Sequence, residues 1–169
     1  YIVNNKIRLL VKTSLFIAII ALTTTYILHI PTGINGGYIH LGDVFIYIAS
    51  VILPTKYALI AASIGGGLAD FLGGAPLFII PTMIIKPLMV FSFTNRSNKI
   101  VCKRNIMATL IAILVTYIGY SFANSIILGN LILGFSASIF DIIQSVVSGI
   151  IFIVLGYLLD RINIKKIIK

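Results

Sequence analysis

The stretch YALIAASIGGGLADFL, residues 57–72, decides how this chain is read. Within it Ala58, Ala62 and Gly66 recur four residues apart with Asp70 next on the same helical face, and Ala61, Gly65 and Ala69 form a parallel row. Rows of small residues let helix backbones approach closely, which is how helices associate where no water drives them together. An aspartate at the end of such a row points along a packed face, away from lipid. The three consecutive glycines are not a phosphate-binding loop, since no Gly-Lys-Ser/Thr follows them and no strand precedes.

The rest of the chain has the same character. Of 169 residues, 59% are hydrophobic and 10% charged, and the mean hydropathy is +1.12, values of an integral membrane protein rather than a soluble core. No polar stretch is long enough for a soluble domain, so residues 1–169 read as a single integral membrane domain. Apolar segments fall at about 13–30, 43–53, 57–72, 77–94, 106–128 and 136–160, separated by Gly, Pro and basic residues. The second is too short to cross a ~30 Å core comfortably and is expected to be a short or tilted helix sheltered by its neighbours.

Charge sets the direction of these segments. Lys6, Arg8 and Lys12 precede the first; Arg96, Lys99, Lys103 and Arg104 follow the fourth; Arg161, Lys165, Lys166 and Lys169 follow the sixth. These bases punctuate apolar runs and form no continuous basic face, which favours the positive-inside pattern over nucleic-acid binding. If all three clusters are cytoplasmic, an even number of spans separates each from the next. Four and then two satisfy this, and Lys56 also falls inside. The expectation is an all-α membrane protein, a six-transmembrane-helix bundle with both termini cytoplasmic. The first helix reads as retained, because its apolar run continues through Thr25 to Ile30 with no small-x-small cleavage site. Cys102 is the only cysteine, which rules out an intrachain disulfide and a CxxC site.

By these directions Asp43, Asp70 and Asp141 lie at the outer ends of helices two, three and six. A charged side chain at the bilayer centre costs roughly 2.5–3.5 kcal/mol on insertion scales, and such groups face a bundle interior or a cavity. His40, Thr82, Tyr120, Asn124 and Gln144 fall in the same outer layer, a fitting lining for a small polar ligand. Interhelical hydrogen bonding explains Tyr120 and Asn124 equally well. Asp43 reads equally as a helix N-cap after Gly42. Lys86, beside Pro87, sits near the midplane and reads as paired with an acid or a ligand anion rather than snorkelling. Asp160, next to Arg161 at the cytoplasmic surface, is explained by a solvated ion pair. Helix one carries Ser14 and Ala18 four apart, then Ala21 and Thr25, either a packing stripe within the bundle or a docking face for another membrane subunit.

Enzymatic chemistry finds no support. His29 and His40 are the only histidines, and the chain lacks HExxH, Gly-x-Ser-x-Gly and nucleotide-binding motifs, so neither catalysis nor a cofactor nor a metal is expected. Two alternatives to ligand transport stay open: a small intramembrane enzyme using an aspartate pair, and a structural subunit that binds no ligand.

Taken in order, Gly37-Tyr38-Ile39-His40-Leu41-Gly42-Asp43, the Ile64 to Gly74 stretch with Ala69-Asp70, Pro81-Thr82-Met83-Ile84-Ile85-Lys86 and Asp141-Ile142-Ile143-Gln144 resemble the substrate-binding S component of energy-coupling factor (ECF) vitamin transporters. The similarity covers nearly the whole chain and looks most like the hydroxymethylpyrimidine and pyridoxine branch, from which it departs in having Asp141 where asparagine is more usual. The resemblance implies a multi-pass protein of the bacterial cell membrane that captures a B vitamin or its precursor outside with high affinity. A transmembrane coupling protein and two ATPase subunits would be its partners and energy source. Substrate contacts are expected from His40, Asp70, Asn124, Asp141, Gln144 and Lys86, and coupling-subunit contact from Ser14 and Ala18. The loop from Pro31 to Leu41, with Gly33, Gly36 and Gly37, would serve as an outer lid.

Overall fold

In lipid every backbone amide must find its partner within the chain, a demand that favours helices. The computed structural model describes residues 2–27, 30–31 and 38–168, and nearly all of them outside short connections are helical. The order is α1 (Ile2–Tyr26), a two-residue antiparallel pair β1 (Ile30–Pro31) and β2 (Tyr38–Ile39), α2 (Gly42–Ile52), α3 (Thr55–Leu72), a single 3-10 turn (Pro76–Phe78), α4 (Ile79–Val90), α5 (Lys103–Leu128), α6 (Leu131–Ala137), α7 (Ile139–Arg161) and α8 (Ile164–Ile168). The six apolar segments correspond to α1, α2, α3, the 3-10 turn with α4, α5, and α6 with α7. Three stretches, Asn5–Tyr26, Lys103–Leu128 and Leu131–Arg161, are long and apolar enough to cross a membrane, while Gly42–Ile52 and Pro76–Val90 are shorter apolar helices.

The short second helix is sheltered as its length demands. At about 1.5 Å per residue α2 is too short to span, and it is buried along nearly its whole length among α1, α3 and α7. On α3 the two rows of small residues serve two neighbours. Ala58, Ala61, Ala62, Gly65, Gly66, Ala69 and Asp70 are buried, with α1 and α4 packed closely on this helix, while Ile60, Ile64, Leu68 and Phe71 face outward. Gly66 marks the closest approach to α4: a Cβ there would stand 2.8 Å from Thr82 Cγ2 and 3.3 Å from Lys86 Cγ. The small residue is what lets the lysine stem pass.

Pro87 lies inside α4, where it removes the amide that would bond the Met83 carbonyl one turn earlier. Ser63 of α3 repairs the gap, its hydroxyl donating to Met83 O at 2.9 Å. The connection from α4 to α5 is held by side chains. Asn105 accepts from Thr94 N at 2.8 Å and donates to Ile100 O at 2.8 Å, and Asn95 donates to Leu53 O at 2.9 Å. Asp160 does something other than pair with Arg161: its carboxylate accepts from the backbone amides of Ile100 at 2.7 Å and Val101 at 2.9 Å. Charge-assisted bonds to two otherwise orphaned amides are worth more there than a screened surface ion pair.

These ties also fix the topology. The start of α1, the α2–α3 turn, the central connection and α8 meet around one cavity lined by Arg8, Pro54, Asn95 and Lys165, so the basic clusters share one end of the bundle, as the span count requires. With positive residues inside, this end is cytoplasmic. Ser63→Ala should lower stability by about 1 kcal/mol in detergent unfolding, the usual worth of a lost hydrogen bond. In a Pro87→Ala background, where the helix amide is restored, the same substitution should matter less; an equal effect in both backgrounds would rule out the repair.

A polar cavity at the outer end of the bundle

At the opposite end, the first turn of α2 brings a carboxylate against the middle of α4. Asp43 Oδ1 accepts from Lys86 Nζ at 2.6 Å, with the two side chains 0% and 2% exposed. Asp43 Oδ2 accepts from Gln144 Nε2 of α7 at 3.0 Å, and Gln144 Oε1 in turn accepts from the backbone amide of His40 at 3.2 Å. His40 Nδ1 accepts from Gly42 N at 3.0 Å. One network thus joins α4, α2, α7 and the segment leaving β2. Gly42 allows this close approach, because a Cβ there would collide with Thr24 Oγ1 of α1 and force that side chain to move.

The helix-cap reading of Asp43 is therefore corrected. Leu41 occupies the N-cap position with no side-chain cap bond, and both Asp43 oxygens are engaged by side chains from other helices. A buried lysine offers a carboxylate far more than a helix end does, since each charge without the other would sit uncompensated in a medium of low dielectric. The Lys86 ammonium also lies 5.3 Å from the centroid of the Tyr120 ring, within cation–π reach.

Around this pair lies a cavity. His40, Asp70, Lys86, Asn124, Asp141 and Gln144, predicted separately from the sequence, all line it. Thr82 and Tyr120 are there too, their hydroxyls 2.8 Å apart, and Asn124 Nδ2 donates to Ser138 Oγ at 3.0 Å. Tyr120 and Asn124 thus bond neighbouring helices and face the cavity at once. Apolar walls come from Ile39, Phe78 and Phe140, with the Phe78 and Tyr120 rings 6.3 Å apart. Those apolar residues escaped the sequence reading because an apolar side chain in an apolar chain carries no local mark. Among the described residues, no three His, Cys, Asp or Glu side chains converge on a metal-binding cluster.

The expected lid from Pro31 to Leu41 lies largely outside the described residues; its base is the pairing of Ile30 with Ile39 and Pro31 with Tyr38. On α1 the small-residue stripe divides. Ala21 and Thr25 are buried, and Thr25 Oγ1 lies 3.3 Å from Ala69 O of α3, whereas Ser14 and Ala18 are exposed on the bundle surface.

Breaking the central pair should be costly in one direction only. Lys86→Met or Asp43→Leu alone should destabilise the protein by about 3–5 kcal/mol, because each leaves a buried charge alone, while the double substitution should recover most of that loss. Additive losses in a double-mutant cycle of thermal unfolding would show that the two charges do not depend on each other.

No curated protein matches the chain. The family model described as ECF-type riboflavin transporter, S component, matches residues 4–165. The match bears out the S-component reading; the family model is that of the riboflavin S components and does not single out the hydroxymethylpyrimidine and pyridoxine branch that the motifs suggested. A match over nearly the whole length, on a bundle of apolar helices with basic residues gathered at one end, makes this a multi-pass cell-membrane transport protein and not an enzyme. The chain belongs to the family of S components of ECF-type riboflavin transporters, which bind a vitamin and work with an ECF module.

Proposed function

We propose that the outer cavity captures the ring of a heteroaromatic B vitamin, with riboflavin the first candidate, and that His40, Asp70, Asn124, Asp141 and Gln144 supply its polar contacts. The observation that carries this reading is convergence: eight polar side chains from α3, α4, α5, α7 and the segment before α2 reach one cavity at the outer end. Because Asp43 neutralises Lys86, the carboxylates of Asp70 and Asp141 set the cavity's character. They favour a ligand that presents N–H or O–H donors, as the imide and ribityl hydroxyls of a flavin do. Phe78, Tyr120 and Phe140 offer faces for a planar ring. Lys86 acts mainly by holding Asp43 and Gln144 in place.

A smaller ligand, such as hydroxymethylpyrimidine or pyridoxine, is the second reading. It is favoured by the size of the cavity, in which the centres of water molecules can occupy about 60 Å³, room for a few waters and for little more than one ring without movement of the walls. Calorimetric titration of the purified protein with riboflavin, pyridoxine and hydroxymethylpyrimidine separates the two. Asp70→Ala and Asp141→Ala should each weaken the ligand that binds by about 1–3 kcal/mol, roughly 5- to 150-fold. Unchanged affinity in both variants would refute this site, and no binding of any vitamin would restore the structural-subunit alternative.

The exposed Ser14 and Ala18 are proposed to receive the coupling protein, where small side chains permit a close helix crossing. Ser14→Leu and Ala18→Leu should then abolish uptake in cells carrying the whole transporter, with vitamin affinity unchanged. Normal uptake in both would place the coupling contact elsewhere.

A further inference from the structure

We propose that Ser138 is a positioning residue of the outer cavity, holding the Asn124 amide so that its carbonyl oxygen faces the ligand and reads an N–H or O–H donor. The inference rests on the vitamin-capture reading above and deepens it at one wall of the site. Two side-chain amides line the cavity, Gln144 and Asn124. An amide has a donating arm and an accepting arm of nearly equal size, so what it offers a ligand depends on what fixes its rotation. For Gln144 both arms are bonded within the protein, Nε2 to the Asp43 carboxylate and Oε1 from the His40 backbone amide. For Asn124 the bonded arm is Nδ2, which donates to Ser138 Oγ at 3.0 Å. The carbonyl arm is the one left for the cavity.

The direction of that bond follows from the single proton of a hydroxyl. Ser138 Oγ donates to the Gly134 carbonyl one turn earlier, at 3.1 Å. The Asp141 carboxylate also comes within hydrogen-bonding range of it, and it too can only accept. With its proton drawn to one of these, Ser138 turns a lone pair toward Asn124 and has to receive a donor. The opposite rotation of the amide would set two acceptors against each other at a buried place, since Ser138 is 0% exposed.

Local backbone geometry delivers the pair. Asn124 lies near the outer end of α5 and Ser138 at the junction of α6 and α7, joined by a hairpin that turns at Gly129 with φ of 64°. Asn130 caps α6, its side chain accepting from Leu133 N at 3.1 Å. A Cβ on Gly134 would collide with the backbone of Ser125, so the glycine lets α6 press closely on α5 and bring Ser138 to Asn124. A short stretch of chain thus orients an amide that lines the cavity.

Fluorescence titration of the purified full chain with riboflavin, with 3-methylriboflavin, which lacks the imide N–H, and with lumiflavin, which lacks the ribityl hydroxyls, tests the assignment. The wild type should bind riboflavin about tenfold or more tightly than at least one of the analogues, because an acceptor facing a missing donor is left unpaired. Ser138→Ala, which frees the amide to turn, should cut that preference roughly tenfold, and Ser138→Thr, which keeps the hydroxyl, should preserve it. Asn124→Ala should remove the same preference, and adding Ser138→Ala to it should change nothing further. A loss of affinity in Ser138→Ala that is equal for riboflavin and both analogues would make the residue merely structural and overturn the proposal. A wild type that binds both analogues as tightly as riboflavin would overturn it too, as would an Asn124→Ala variant that keeps the preference; neither comparison depends on the folding of Ser138→Ala. Failure of the wild type to bind riboflavin would overturn the riboflavin reading and this proposal with it, whereas riboflavin binding with an unchanged preference in Ser138→Ala would overturn this proposal alone.

Discussion

A lysine in the middle of a membrane helix and a carboxylate at the start of another can both stay charged only in contact, and much of the outer half of this bundle is arranged around that contact. Asp43 and Lys86 meet at 2.6 Å with almost no exposure. Gly66, whose missing side chain leaves room for the lysine stem, and Gly42, whose missing side chain lets α2 begin against Thr24, make that close meeting possible. It also recruits Gln144, which satisfies the second carboxylate oxygen and passes the connection to His40 at the base of the expected lid. Buried pairs of this kind contribute little net stability compared with apolar packing of the same volume. What the pair confers is position: three helices and the segment leaving β2 have one arrangement in which every charge is answered.

The two ends of the molecule handle charge in opposite ways. Outside, Lys86 is neutralised within the protein, leaving acceptor groups to define a polar cavity. Inside, Arg8, Lys12, Lys165 and Lys166 gather around one cavity. The fourth aspartate, at this end, is engaged by two backbone amides of the central connection, which lacks the regular hydrogen bonding of a helix. Apolar packing holds the middle, where Tyr47, Phe93 and Phe152 form an aromatic cluster with ring centroids 4.9 to 5.8 Å apart.

Much of this was legible in the residues. Six apolar segments, and the even count of spans between basic clusters, follow from the transfer energetics of whole segments, which sum many residues and tolerate local error. The outer layer of polar residues was legible for the same reason, since span direction alone places Asp70, Asn124, Asp141 and Gln144 at one depth. Asp43 was less so. A Gly-Asp pair opening a helix is what an N-cap looks like, and nothing local says that a lysine 43 residues further along will take the carboxylate instead. Asp160 misled in the same way, because its neighbour Arg161 is near in sequence while the amides it bonds lie 59 and 60 residues away. The branch of the family was the least legible part, because short motifs report the shared architecture of the bundle more strongly than the ligand it takes.

By itself the sequence determined that this chain is a helical membrane protein, which way its helices run and at which depth its charges fall, because those depend on sums of hydropathy and charge along the chain. Only the tertiary structure decided which charges meet, which small residues make room for them and which apolar side chains complete each cavity. Pairing depends on side-chain directions and interhelical distances of a few ångströms, and these emerge only when all the helices pack at once.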